Sequence, residues 1–327
     1  MSRAQLTSTD QQNSCGPVSP YVAGKNFAAN GNFDIWQRGT SFSFNGSGGY
    51  TADRWYGYSN AATTFSQDTT TLAPGTRYSI KAVPTSTQPS LTQSIETANS
   101  IYYAGQTVTF SMYLAASANT AMTVLVQYST STDVSPIGSF TTITTGSPTA
   151  TTTMTRYTFT AAIPSNAKTI QVSSYPSATT SNTIYWGGLQ LELGSVATAF
   201  SRAGGTLQGE LAACQRYYYR INNNPGGYGI YGTGFGTSST NANVYVLYPV
   251  QLRQIATAID YSTVSSTLEV FDGTTQFNAS AISYNSNESW VNGATLNVTV
   301  SGMTNYRPVK GMFQGSSAGY IGFSAEL

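Results

Sequence analysis

Val108-Thr109-Phe110-Ser111-Met112-Tyr113-Leu114 and Thr123-Val124-Leu125-Val126-Gln127-Tyr128 decide the fold class. Both runs are rich in β-branched and aromatic residues, which fit a pleated surface. Upstream, Tyr78-Ser79-Ile80-Lys81-Ala82-Val83 has the same character. Downstream, Arg156-Tyr157-Thr158-Phe159-Thr160 and Thr169-Ile170-Gln171-Val172 alternate with period two, and Thr183-Ile184-Tyr185-Trp186 does so less cleanly. Clusters of Gly, Pro, Asn and Ser separate these runs, and no convincing helix stands between them. Short strands at such spacing indicate a β-sandwich or jelly roll.

The pattern changes at Gly204-Gly205. Leu207, Leu211, Cys214 and Tyr218 fall at i, i+4, i+7 and i+11, which is one face of a helix. Thr206 suits its N-cap and Glu210 its first turn. Asn222-Asn223-Asn224-Pro225-Gly226-Gly227 ends it. Strands then return at Asn243–Tyr248, Thr267–Phe271, Ala294–Val300 and Gly319–Ala325. The expected architecture is all-β: two β-sandwich (jelly-roll-like) domains joined by one short helix and preceded by an extended N-terminal arm. The divisions fall at 1–25 (arm), 26–203 (first domain), 204–225 (linker helix) and 226–327 (second domain). There is no internal repeat and no heptad run.

Composition narrows the function. Of 327 residues only 8% are charged, against about 25% in a typical soluble domain. Hydrophobic residues are 40% and aromatics 13%, so the chain is not a disordered polar one. Its polarity comes from Ser, Thr, Asn, Gln, Gly and Tyr. The Thr content suits β-structure, and an uncharged polar surface also suits sugars and neighbouring subunits. Net charge is +1 with no basic stripe, which argues against nucleic acid as a partner. No apolar run reaches the ~20 residues that span a bilayer. The polar start, Met1-Ser2-Arg3-Ala4-Gln5-Leu6, has no signal-peptide core. Two cysteines, Cys15 and Cys214, and no histidine exclude a disulfide scaffold and His/Cys zinc sites. Cys214 is expected to be a buried thiol.

Two stretches carry a resemblance. Asn30-Gly31-Asn32-Phe33-Asp34-Ile35-Trp36-Gln37-Arg38-Gly39-Thr40-Ser41-Phe42, with Tyr50-Thr51-Ala52-Asp53-Arg54-Trp55, resembles the opening of carbohydrate-binding-module-like jelly rolls in phage tail-fibre and other virion proteins. Leu189–Gly194 with Ala197–Phe200 resembles the closing strand of such domains. Glu210–Tyr218 resembles the link to a terminal β-domain, and Phe323-Ser324-Ala325-Glu326-Leu327 resembles its ending. The resemblance implies a homotrimer in a virion assembled in the host cytoplasm, binding to host-surface carbohydrate, and no catalysis. The arm 1–25 would fasten the chain to other virion proteins. With no shaft after the arm, a capsid decoration, cement or head-fibre protein is the alternative, and a polysaccharide depolymerase the third reading.

Within the opening stretch, Phe33, Ile35 and Trp55 are expected core anchors. Asp34, Arg38, Asp53 and Arg54 are expected to pair, since a charge at a low-charge interior edge must find a partner. Leu207, Leu211, Cys214 and Tyr218 are the expected trimer interface. At least one ring of Tyr217-Tyr218-Tyr219 is expected to meet a neighbouring subunit, because rings pointing around a helix cannot share one core.

Without histidine, Ser-His and Cys-His nucleophile systems are absent. The carboxylates are dispersed, with no readable acid–nucleophile pair, so no enzyme and no cofactor is expected. Calcium would need oxygen ligands such as Asp34 or Glu192, but no loop has a calcium-binding pattern. Sugar binding needs flat rings flanked by amides and hydroxyls. Trp55, Tyr56 and Tyr58 are candidates in the first domain. Tyr228, Tyr231, Phe235 and Trp290 are the expected glycan contacts, on the loops 226–236 and 285–290 of the domain farthest from the arm.

Overall fold

The computed structural model describes residues 24–224, 226–315 and 318–327. The arm, apart from its last two residues, and Cys15 lie outside them. The first domain is a sandwich whose chain passes back and forth between two antiparallel sheets. One is ordered β1(Ser41–Phe44)-β4(Thr63–Asp68)-β5(Ser79–Pro84)-β13(Ile184–Leu193)-β7(Thr107–Ala116)-β11(Thr155–Ala162). The other is ordered β10(Thr149–Ala150)-β8(Thr120–Ser129)-β12(Thr169–Pro176)-β6(Ser90–Ile95)-β3(Tyr56–Ser59)-β2(Ser47–Tyr50), with β9(Thr141–Gly146) also on β8. Every strand expected from the runs around Val108 and Thr123 is present. The period of two turns Phe110, Met112, Leu114, Val124, Val126, Ile170 and Val172 inward, where they meet Phe65 and Trp186. Phe33 and Trp55 are fully buried and Ile35 nearly so, as expected of anchors.

The second domain is also a sandwich. A seven-stranded sheet is ordered β19(Gln276–Asn278)-β18(Leu268–Phe271)-β22(Pro308–Phe313)-β15(Ile230–Gly236)-β16(Asn241–Leu247)-β21(Gly293–Thr299)-β20(Ala281–Trp290). It packs on a three-stranded sheet, β14(Tyr218–Asn222)-β23(Tyr320–Ser324)-β17(Ala258–Tyr261). Val244, Val246, Leu268, Leu296, Val298 and Phe313 from the larger sheet meet Ile321 and Phe323 from the smaller. The all-β, two-sandwich expectation therefore holds.

Three local readings are corrected. The glycine-spaced run 226–236 is in large part strand β15, paired on both sides. From Gly232 to Gly236, past the register shift, glycine alternates with the outward Thr233 and Phe235 in a period-two pattern with the glycines inward. A Cβ at Gly234 would lie 1.7 Å from the Asn243 carbonyl oxygen, so only glycine lets β15 and β16 pair there. The polar stretch 285–290 belongs to β20, whose register shifts between Asn285 and Trp290. The helix, α1 (Leu207–Gln215), forms with Thr206 as N-cap, its side chain accepting from the Gly209 amide at 3.0 Å, but its buried stripe is not the expected one. Leu207 is 41% exposed and Leu211 half-buried, whereas Glu210, Cys214 and then Tyr217 face inward. The helix stops before Tyr218, so the stripe that periodicity continued through Tyr218 breaks.

Candidate functional site

Four stretches distant in sequence meet where the sandwiches join. Gly31 lies so close to the Leu189 carbonyl that a Cβ would sit 1.9 Å from its oxygen, and Leu189 donates its amide to the Gly31 carbonyl at 2.9 Å. Glu210 accepts the amides of Asn30 and, at 2.7 Å, of Gly204. Burial pushes its carboxyl pKa up against these two bonds. Ala325 donates its amide to the Tyr217 carbonyl at 2.8 Å. Between these contacts lies a nearly dry charge cluster. The Glu326 carboxylate pairs with Arg54 and, at 3.3 Å, with Arg38. The Arg54 guanidinium lies 3.5 Å over the Tyr217 ring and that of Arg38 3.5 Å over the Tyr218 ring.

The expected pairing among Asp34, Arg38, Asp53 and Arg54 is thus corrected. The arginines turn to Glu326, Asp34 pairs with Arg202 at 2.8 Å, and Asp53 accepts from the side chain and amide of Gln37. Burial raises the Asp53 pKa. The physical reason is reach: the domain interface offers the arginines both a carboxylate and two aromatic faces. All three consecutive tyrosines find partners inside one chain. Tyr217 and Tyr218 lie under arginines, and Tyr219 packs edge-on against Tyr248 at 5.9 Å. Cys214 is a buried free thiol whose pKa burial raises. Cys214 and Tyr218 are therefore interior residues of the domain junction rather than surface available to another subunit. Beside the cluster a cavity of about 280 Å³ is lined by Phe27, Gln93, Tyr103, Arg54, Arg216 and Tyr217.

The first sandwich carries an open cleft of about 710 Å³ on the outer face of its β2–β3–β6 edge. Cross-strand register puts Tyr56 beside Thr92 and Tyr58 beside Ser90, while Leu91 between them points into the core. Tyr50 meets the Tyr56 ring edge-on at 5.4 Å. Gly48 leaves room for that ring, since a Cβ there would lie 2.7 Å from it. Burial and the neighbouring Tyr58 raise the Tyr56 pKa. The far wall is Pro136 and Ile137, from the loop between β8 and β9. Gln171 ties this loop down by donating to the Pro136 carbonyl and to Ser94 Oγ, each at 3.0 Å. Thr92 and Ser173 hydroxyls share a bond of 2.9 Å. The lining is aromatic rings, hydroxyls and the aliphatic side chains of Pro136 and Ile137, without a charged group. Tyr56 and Tyr58 were legible in sequence; the loop over them was not.

The expected terminal-domain contacts scatter. Tyr231 is 3% exposed and packs edge-on against Phe313 at 5.4 Å, because the register shift between Ile230 and Gly232 turns it inward. Its ring is unavailable to a surface ligand, which corrects that assignment. Tyr228 is exposed beside Gly315, and Trp290 lies over Gly293 at the end of the sheet. Phe235 lines a separate groove of about 550 Å³ on the solvent face of the seven-stranded sheet.

Asp34 and Glu192 are engaged by protein groups, Glu192 accepting from Gln190 at 2.7 Å and from the Thr198 amide at 2.9 Å. Among the described residues no cluster of three metal-ligating side chains occurs. No helix there is long and apolar enough to cross a membrane.

Fold and cleft together define an all-β protein with an aromatic, hydroxyl-lined groove on one sandwich. Among solved structures it is similar to a family 4 carbohydrate-binding module (17% identity, 50% of this chain and 98% of that one, TM-score 0.34). It is likewise similar to the family 22 module of Clostridium thermocellum Xyn10B (16% identity, 44% and 89%, TM-score 0.34). A third is the enzymatically active domain of bacteriophage CBA120 tailspike protein 4 (13% identity, 54% of this chain and 22% of that one, TM-score 0.37). No family model and no curated protein matches the sequence.

Proposed function

We propose that this protein is a non-enzymatic glycan-binding component of a bacteriophage virion, a trimeric fibre that meets a neutral host-surface polysaccharide through the tyrosine cleft. The observation that carries the glycan reading is the pairing of the Tyr56 and Tyr58 rings with Ser90 and Thr92 beneath a pinned loop. Ring faces stack on sugar C–H surfaces, and hydroxyls supply the bonds that fix orientation. The uncharged lining favours a neutral sugar. It also lacks the two facing carboxylates that glycoside hydrolysis needs, which supports binding over depolymerisation. The virion reading is supported by the resemblance of residues 30–42 with 50–55, 189–194 with 197–200, 210–218 and 323–327, of which Asn30, Arg38, Arg54, Glu210, Tyr217 and Glu326 meet at the junction. With the junction residues occupied inside the chain, the surface left to a trimer contact includes Leu207 and Leu211.

The test is titration of neutral host-surface oligosaccharides into the purified protein. Tyr58→Ala is expected to cost about 1 kcal/mol or more, roughly fivefold in Kd, with the folded state intact. Unchanged binding in both Tyr56→Ala and Tyr58→Ala removes the cleft from recognition. Mass measurement in native buffer checks the trimer, and a monomer at micromolar concentration removes it.

A further inference from the structure

The seven-stranded sheet of the second sandwich turns one face to its core and the other to solvent. On the solvent face Lys310 stands opposite Thr233 on one side and Phe271 on the other, and Thr233 stands opposite Tyr245. Phe235, opposite Pro308, continues the row. These side chains line the groove of about 550 Å³. The Phe235 and Tyr245 rings are 6.3 Å apart and tilted by 41°, so they form a splayed platform with Phe235 39% exposed. Two residues before Pro308 the chain holds Tyr306 at φ 64° and 79% exposed, a conformation uncommon for a residue with a side chain.

The charges in this lining are not balanced against each other. Asp272 is committed to its own turn, accepting from Thr274 Oγ1 at 2.8 Å and from the Thr274 and Thr275 amides at 3.0 and 2.8 Å. It also pairs with Arg307 at 3.3 Å. Lys310 is exposed and has no ion pair or side-chain hydrogen bond among the described residues. The groove therefore combines three aromatic rings, a hydroxyl and one uncommitted cation. An anion supported on a flat apolar ring complements that set.

We propose that this groove is a second saccharide site, selective for a sugar that carries an acidic group. The sugar ring stacks on the Phe235–Tyr245 platform, and its acidic group pairs with Lys310, which Phe271 flanks on the far side. The site is independent of the tyrosine cleft, which has no charge in its lining, and it stands or falls separately.

Two matched probe pairs test it on the full chain: trigalacturonate against its methyl ester, and sialyllactose against lactose. At least one acidic member should bind roughly tenfold more tightly than its neutral counterpart at low salt, and the gap should narrow as salt rises. Lys310→Gln should erase the gap, and Phe235→Ala should weaken both members roughly fivefold. Tyr58→Ala should leave the salt-sensitive, Lys310-dependent part of acidic-sugar binding in place, which separates the site from the tyrosine cleft. Lys310 is exposed, so its variant remains informative even if Phe235→Ala proves unstable. Equal binding within both pairs, or a preference that survives Lys310→Gln, overturns the proposal. So does sedimentation showing an oligomer that Phe235→Ala disperses, since the face is then a contact between copies of the chain.

Discussion

At Glu326 one carboxylate serves two guanidinium groups, and both arginines lie over tyrosine rings. Removing the carboxylate leaves Arg38 and Arg54 buried without their counter-charge, the costly way to break an interior ion pair. Glu326→Ala should therefore destabilise the protein by about 3–5 kcal/mol, read by chemical denaturation. Glu210 poses a subtler case. Its two oxygens each accept a backbone amide, and a glutamine can accept on only one. Glu210→Gln should cost about 1–3 kcal/mol despite its near-identical shape; an unchanged denaturation midpoint would contradict this. At Asp272 the hydrogen bonds from Thr274, then Thr275, hold the carboxyl pKa down at about 2. The folded value is below the unfolded one, so the stabilisation is present above the usual carboxylate range and is lost as pH falls toward 2. Asp272→Ala should flatten that acid limb of the stability–pH curve.

Among the elements, those with strong β-branched and aromatic content were legible from composition alone, as in β7, β8, β12, β16 and β21. The Gly-rich β15 was not, because glycine weakens every propensity signal while its neighbours read as a loop. Yet its glycines are what its neighbours require. Gly234→Ala should force β15 from β16 at a cost of about 1–3 kcal/mol or more, measured as a lowered thermal midpoint. The helix was legible in existence and in its cap, but the buried stripe was not. Periodicity favoured the leucines, whereas Glu210 is drawn inward by two orphan amides no sequence pattern displays. The same limit applies to the candidate sites. Tyr56 and Tyr58 stood out as rings, but the wall opposite comes from residue 137, and Tyr245, Phe271 and Lys310 reach the second groove only through strand register.

For the whole molecule, the junction cluster makes the two sandwiches thermodynamic partners rather than beads on a string. Arg253 adds to this, donating to the Ala325 carbonyl at 2.6 Å while pairing with Asp133 of the first sandwich at 3.0 Å. Calorimetry of the unaltered chain should show one cooperative transition, and Glu326→Ala should separate it toward two. Two transitions in the unaltered chain would mean the cluster couples the domains weakly.

The bond between Arg54 and Glu326 joins residues 272 positions apart. Closing so long a loop brings no reward until both sandwiches have taken shape, so the pair belongs on the far side of the rate-limiting barrier. A contact of that kind leaves the speed of folding almost untouched and governs how long the finished molecule stays shut. The carboxylate at residue 326 is thus a latch on lifetime: its loss should appear as faster escape from the native state, with the approach to that state unhurried and unhindered.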